Sequence, residues 1–227
     1  MKSHILKSMA ENIENTASSQ TIRGIAVPHV RRLASILAGF EGTIQSRMAG
    51  DTPERHVERI VDSAGKIRAK AQTVSDTLLR QIGDAHNRLE AQAREKAGIK
   101  PTNGPEAAEI RAIVRGMSRK SQLELLKSRD PEVLNALVGA NPLLHGIDKA
   151  TLDATVNDML NHAAPEETAE MAELTEFLGT VSVITREATE AATQATDDEY
   201  TREVLRKAQE AEGVHNEFLS KLEEVGS

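Results

Sequence analysis

Apolar side chains recur along this sequence at alternating steps of three and four, and almost nowhere at steps of two. The clearest run is Val57, Ile60, Ala64, Ile67, Ala71, Val74 and Leu78. Such steps return to one face of a 3.6-residue helix, so the run is a heptad seam. Its continuation would use Gln81; Ile82, Ala85 and Leu89 take over instead after a four-residue step, a shift that locally relaxes a supercoil. The pattern predicts one helix from Pro53 to Ala97, roughly 65–70 Å long at 1.5 Å per residue. Gly98 closes it, with Pro101 beyond.

Upstream, Val30, Leu33, Leu37, Phe40 and Ile44 make a shorter seam. Pro28 fits the first position of its helix, where a missing N–H is no loss. Gly50-Asp51-Thr52-Pro53 combines a glycine stop, an N-cap residue and a helix-starting proline, which reads as a tight reversal. Residues 28–99 are therefore expected to form a long antiparallel helical hairpin. Residues 1–27 are polar, with sparse apolar positions at Ile5, Leu6, Met9 and Ile13, and read as an arm or short helix that orders on a partner.

Lys100-Pro-Thr-Asn-Gly-Pro105 reads as a linker. Short helices follow. Pro105 opens one to about Arg115, Ser118 caps another, Asp130-Pro131 opens a third, and Asp148 caps a fourth to about His162. Asn141-Pro142 and His145-Gly146 mark turns between them. Residues 105–163 are expected to be a compact short-helix module. Residues 165–227 are expected to be a long acidic C-terminal helix or helix pair, with Glu166 and Glu167 favourably placed at its start. Its seam runs through Met171, Leu174, Leu178, Val181, Thr185, Ala188, Ala192 and Ala195. It lapses at Thr196-Asp197-Asp198 and restarts as Val204, Ala208, Ala211, His215, Phe218, Leu222 and Val225.

Composition narrows the fold. Aromatics are 2% of the chain, namely Phe40, Phe177, Phe218 and Tyr200. Aromatic rings bury the largest areas per residue, so a thick globular core is out of reach. Period-two runs of β-branched residues are missing as well, which disfavours strands. The expected fold is all-α and elongated, with rods zipped along narrow Ala, Leu, Val and Ile seams.

The absence of cysteine removes disulfides, thiolate metal sites and a cysteine nucleophile. The first residues lack the apolar stretch of a secretory signal, and no window approaches 18 apolar residues. Neither secretion by signal peptide nor a membrane span is expected. Residues 1–164 hold 23 Lys/Arg against 19 Asp/Glu, and residues 165–227 hold 5 against 16, so a net +4 is followed by −11. An acidic last third repels phosphates, making nucleic acid an unexpected partner there.

Catalytic signatures do not occur: there is no G-x-x-x-x-G-K-[ST], G-x-G-x-x-G or G-x-S-x-G. Glu212-Gly-Val-His215 is the best metal candidate, but a di-iron bundle needs two Glu-x-x-His pairs and further carboxylates. A polar break in a seam explains it better. Glu170/Glu173 and Glu223/Glu224 fall on faces expected to be solvated, where nothing would tune them for acid–base work. No enzyme activity, metal, cofactor or small-molecule substrate is expected. One charge cluster stands out. Arg111, Arg115, Arg119, Lys120, Lys127 and Arg129 face a single Glu124 between Ile110 and Arg129. On one helix Arg111, Arg115 and Arg119 would align as a basic stripe. With Lys120 they are candidate partner-binding residues for an acidic protein surface or a nucleic acid backbone, although no aromatic residue interleaves with them to stack on single-stranded bases. The cluster also reads as a solvated face paired with the chain's own acidic helix.

Ala108-Glu-Ile-Arg-Ala-Ile-Val-Arg-Gly-Met-Ser118 and Asp130-Pro-Glu-Val-Leu-Asn-Ala-Leu-Val-Gly-Ala-Asn-Pro-Leu-Leu-His-Gly-Ile147 resemble a pattern in uncharacterised helical structural-cluster proteins of tailed bacteriophages. The resemblance covers about 40 residues, over 108–147, and carries no active site. It implies a virion or head-assembly component located in the particle or the host cytoplasm. Its partners would be other protein subunits in an oligomer. A self-associating cytoplasmic coiled-coil adaptor is the alternative. Rods predict a radius of gyration well above the ~17 Å of a compact domain of this length. Small-angle scattering measures it directly, and a value near 17 Å would remove the rods.

Overall fold

Several helices in this protein start where a side chain takes over a main-chain hydrogen bond. The computed structural model describes the backbone of residues 2–225 and the side chains of residues 2–217. Among the described residues it is all-α, with no strand: α1 (Lys2–Thr16), α2 (Gln20–Gln45), α3 (Pro53–Lys96), α4 (Pro105–Gly116), α5 (Arg119–Lys127), α6 (Pro131–Leu137), a 3₁₀ turn (Pro142–Leu144), α7 (Lys149–Ala163), α8 (Pro165–Asp197) and α9 (Glu199–Val225). Ser118, Asp130 and Asp148 cap α5, α6 and α7 by accepting the N–H groups of Ser121, Glu132 and Thr151. The chain divides into two compact units, Met1–Ile82 with Glu176–Ser227, and Gly83–Thr175.

In the first unit the N-terminal residues form a packed helix, not an arm. α1 buries Leu6, Ala10 and Ile13. Ser3 donates from its main-chain N–H and its hydroxyl to Glu41, and Arg31 pairs with Glu14, so α1 and α2 run antiparallel. α2 begins eight residues before Pro28, at Gln20, with Ser19 accepting the N–H of Ile22. An interior proline costs about 3 kcal/mol. Burying Ile22 and Val27 on the extra turns returns roughly 1.5–3 kcal/mol each, enough to keep the longer helix. Pro28 is exposed, and so is Gly24 four residues earlier, whose carbonyl receives no N–H from the proline.

The reversal before α3 follows the sequence. Gly50 has φ +86°, a left-handed value that favours glycine, and Thr52 accepts the N–H of Arg55 at 3.3 Å. Val57, Ile60, Ala64, Ile67, Ala71, Val74 and Leu78 are all buried. The four-residue step from Leu78 to Ile82 falls where α3 leaves the first unit. On α8 the buried stripe is partly offset from the expected seam. Leu174, Val181, Ala188 and Ala192 of that seam are buried, but Leu178 is 40% exposed and Thr185 half-buried, and Phe177 and Ile184 are buried beside them. Both phases keep steps of three and four, and the helix takes the one that shelters Phe177 and Ile184 over Leu178 and Thr185 because the former pair removes more apolar area from water. α8 and α9 are separate helices. Asp198 breaks them and caps the second: its carboxylate accepts the N–H of Tyr200 at 3.1 Å and its carbonyl that of Arg202 at 2.9 Å.

The second unit has its own core, in which the end of α3 contributes Ala93 and Ala97, and Val114, Leu126, Leu134, Leu137 and Leu160 come from the short helices. The 100–105 stretch is not a boundary. α3 ends in a Schellman turn, with Ile99 N–H on the carbonyl of Arg94 at 2.8 Å and Gly98 at φ +68°. Asn135 of α6 then fastens the chain: its amide donates to the carbonyl of Gly98 (3.0 Å), its side-chain oxygen accepts the N–H of Lys100 (2.6 Å), and its carbonyl accepts the N–H of Thr102 (2.9 Å). Proline and glycine mark an irregular path here, one held down at three points.

Candidate protein-interaction surfaces

The basic cluster of the second unit does not form one stripe. Arg111 and Arg115 lie on α4, but Met117 and Ser118 end that helix and Arg119 starts α5. Arg111 is buried, and its guanidinium donates to the carbonyls of Ala136 (2.8 Å) and Thr102 (3.4 Å). Ala136 belongs to the last turn of α6, whose carbonyls have no partner within the helix and carry the negative end of its dipole. The cation therefore ties α6 and the 100–105 path to α4 and is closed to a partner. Arg119 donates to Asp148 at 2.5 Å and Arg129 to Asp158 at 2.6 Å, both on the α7 side and not on the acidic C-terminal helices. Lys127 pairs with Glu124. Arg115 and Lys120 remain exposed and without an ion pair among the described residues. Of the four candidate partner-binding residues, these two alone stay available.

Two further buried polar groups serve the interior. Gln122 donates to the carbonyl of Val114 in the last turn of α4 at 2.9 Å, repeating on α4 what Arg111 does on α6. His145 is fully buried, and its Nδ1 accepts the N–H of Ile147 at 3.2 Å, so the neutral ring carries its proton on Nε2. Burial, reinforced by the nearby charge of Arg111, pushes the imidazole below its usual value against the pull of the Ala140 carbonyl. Gly146 has φ +74°, a left-handed value that holds the turn to glycine. At the surface, Asp148 titrates at about 2 because the N–H and hydroxyl of Thr151 and then Arg119 favour its carboxylate.

In the first unit a cleft of about 560 Å³ opens among Ile5, Phe40, Ile44, Ile60, Ala195 and Tyr200. Its rim charges are engaged: Lys2 reaches Glu187 at 2.6 Å and Glu190 at 3.0 Å, which raise its ammonium above the usual value, Glu41 serves Ser3, and Asp198 serves Tyr200. His56 also lines the cleft. Among the described residues no group of three or more His, Asp or Glu could hold a metal. Glu212 and His215 are both exposed, and Glu223/Glu224 lie outside the described side chains.

α9 also carries exposed apolar positions. Thr201 and Val204 are buried, Ala208 is half-buried, and Ala211, Val214 and His215 are exposed, Val214 to 69%. Between Ala211 and His215 its apolar positions are uncovered. Phe218, Leu222 and Val225 continue the spacing in sequence, with side chains outside the described residues.

Arg111→Ala strands the Ala136 carbonyl and should cost about 2 kcal/mol in urea unfolding, while Arg115→Ala on the same helix should stay within about 0.5 kcal/mol. Two pH windows follow. The unfolded chain takes up a proton at His145 that the folded one refuses, so stability should fall as pH drops below the ordinary value of 6.5, and this slope should flatten in His145→Gln. The Asp148 contribution is complete above its ordinary 3.8 and should be lost only as pH falls towards about 2. Circular dichroism at fixed urea across that range separates the two.

Among the described residues no helix is long and apolar enough to cross a membrane. The chain matches no protein-family model, no curated protein and no solved structure.

Proposed function

We propose that this chain is a non-catalytic assembly protein that works through helix-to-helix contacts with other protein subunits, as a component of a bacteriophage particle or of its head assembly. The observation that carries the reading is the uncovered seam of α9. An apolar line that continues beyond its own core is a surface for another helix, and large exposed apolar strips otherwise favour aggregation. The phage setting rests on the resemblance over 108–147, the stretch that runs from α4 to the His145 turn. Its polar residues support a building role: Arg111, Gln122 and His145 spend their hydrogen bonds on main-chain groups. The same α9 face favours a second reading, a cytoplasmic adaptor that self-associates.

Native mass spectrometry of the complex purified from its source discriminates between them. The assembly reading expects this chain in stoichiometric complex with a capsid, portal or tail subunit. Recovery only with copies of itself would favour the adaptor. A monomer carrying a small-molecule cofactor would overturn both.

A further inference from the structure

The open face of α9 has a register, and the register selects its partner. With Thr201 at a heptad a position, Val204 and Ala211 fall at d and Ala208 and His215 at a. The sequence carries these steps on to Phe218, Leu222 and Val225. Positions g and e flank such a seam. The charged g residues are Lys207 and Lys221, and the charged e residue is Glu212. In a parallel, in-register pair each g faces the neighbour's e five residues on, so Lys207 meets Glu212 and Val214 meets Leu219. In an antiparallel pair g faces g, which brings lysine towards lysine. Within α9 the ion pairs use Glu203, Arg206, Lys207 and Glu210. Glu212 has none among the described residues. The helix therefore complements a parallel copy of itself.

We propose that α9 is the seam of a parallel homodimer in which the second copy's α9 covers Ala208, Ala211, Val214 and His215. This rests on the helix-contact reading above and names the partner. The seam from Ala208 to Val225 is roughly 27 Å long at 1.5 Å per residue. Its alanines bury little area each, so the pair is reversible, with Lys207 and Glu212 fixing direction more than strength.

Sedimentation velocity of the full chain, over roughly 1–200 µM to bracket weak affinities, tests the dimer. The wild type should pass from monomer to dimer. Ala211→Glu should remain monomeric and match the helical spectrum and melting curve that the wild type shows at concentrations where it too is monomeric, because Ala211 is exposed in the single chain. Glu212→Lys sets lysine against the neighbour's Lys207 and should weaken the dimer roughly fivefold, less so in high salt. Direction has its own measurement, since the chain has no cysteine. Ala211→Cys should oxidise to a disulfide-linked dimer only if the two 211 positions face each other, as the parallel register requires. A wild type that stays monomeric throughout, a dimer indifferent to Ala211→Glu, or an Ala211→Cys dimer that does not cross-link each overturns the proposal. Failure here separates from failure of the function. A monomer that binds a virion subunit through α9, abolished by Ala211→Glu, sinks the homodimer and leaves the assembly reading. A cross-linking dimer found with no virion subunit does the reverse.

Discussion

Close contact between small side chains is the constraint on which the rest of this structure depends. With aromatics at 2% of the chain, no single residue can anchor a core. Ala64 and Ala71 on α3, Ala26 on α2 and Ala188 and Ala192 on α8 are completely or almost completely buried. Each contributes little area, but each lets neighbouring backbones approach, which raises the number of dispersion contacts along the line. The contribution grows with length and not with bulk. That is why α3 is 44 residues long and α8 33.

The second unit applies the opposite solution to the same shortage. Its helices are short, α6 only seven residues, so a large share of their carbonyls lie in last turns with no partner inside the helix. Arg111, Gln122 and Asn135 supply side-chain donors to such groups on α6, on α4 and at Gly98 after α3. A buried guanidinium without a carboxylate would be costly in an apolar site. Here it sits on the negative end of a helix, which recovers part of that cost and explains why a cation is held inside a chain of net charge −7.

What the sequence made legible follows from which signals are local. Caps and turns are set by neighbours in the chain, so Ser118, Asp130 and Asp148 could be read directly, as could the Gly50–Pro53 reversal. The α3 seam could be read because only one phase of it is apolar. On α8 two phases satisfy the same period, and the contest between Phe177 and Leu178 is settled by area and not by spacing. Arg111 was misread for a related reason. Spacing aligns Arg111 with Arg115 but does not say that the carbonyl of Ala136, 25 residues on, lies within reach. Pro28 misled because a strong local rule for helix starts was outweighed by burial of Ile22 and Val27. The packed α1 was under-read because Leu6, Ala10 and Ile13 form too short a stripe to stand out before α2 is in place.

α9 shows where this logic leaves something unbalanced. A helix in water is held by its own hydrogen bonds and by neighbouring side chains four apart, and it is marginal without a packed face. The ion pairs of Glu203 with Lys207 and of Arg206 with Glu210 are exposed, and such pairs contribute little in water. Gly213, a poor helix former, lies inside the helix. From Gln209 to Glu217 every residue is exposed. The heptad spacing continues in the sequence through this stretch, and among the described residues Ala211 and His215 on it are exposed. In the proposed dimer the stabilisation from this line is intermolecular, and the surface it defines is as narrow and alanine-rich as the seams that build the protein itself.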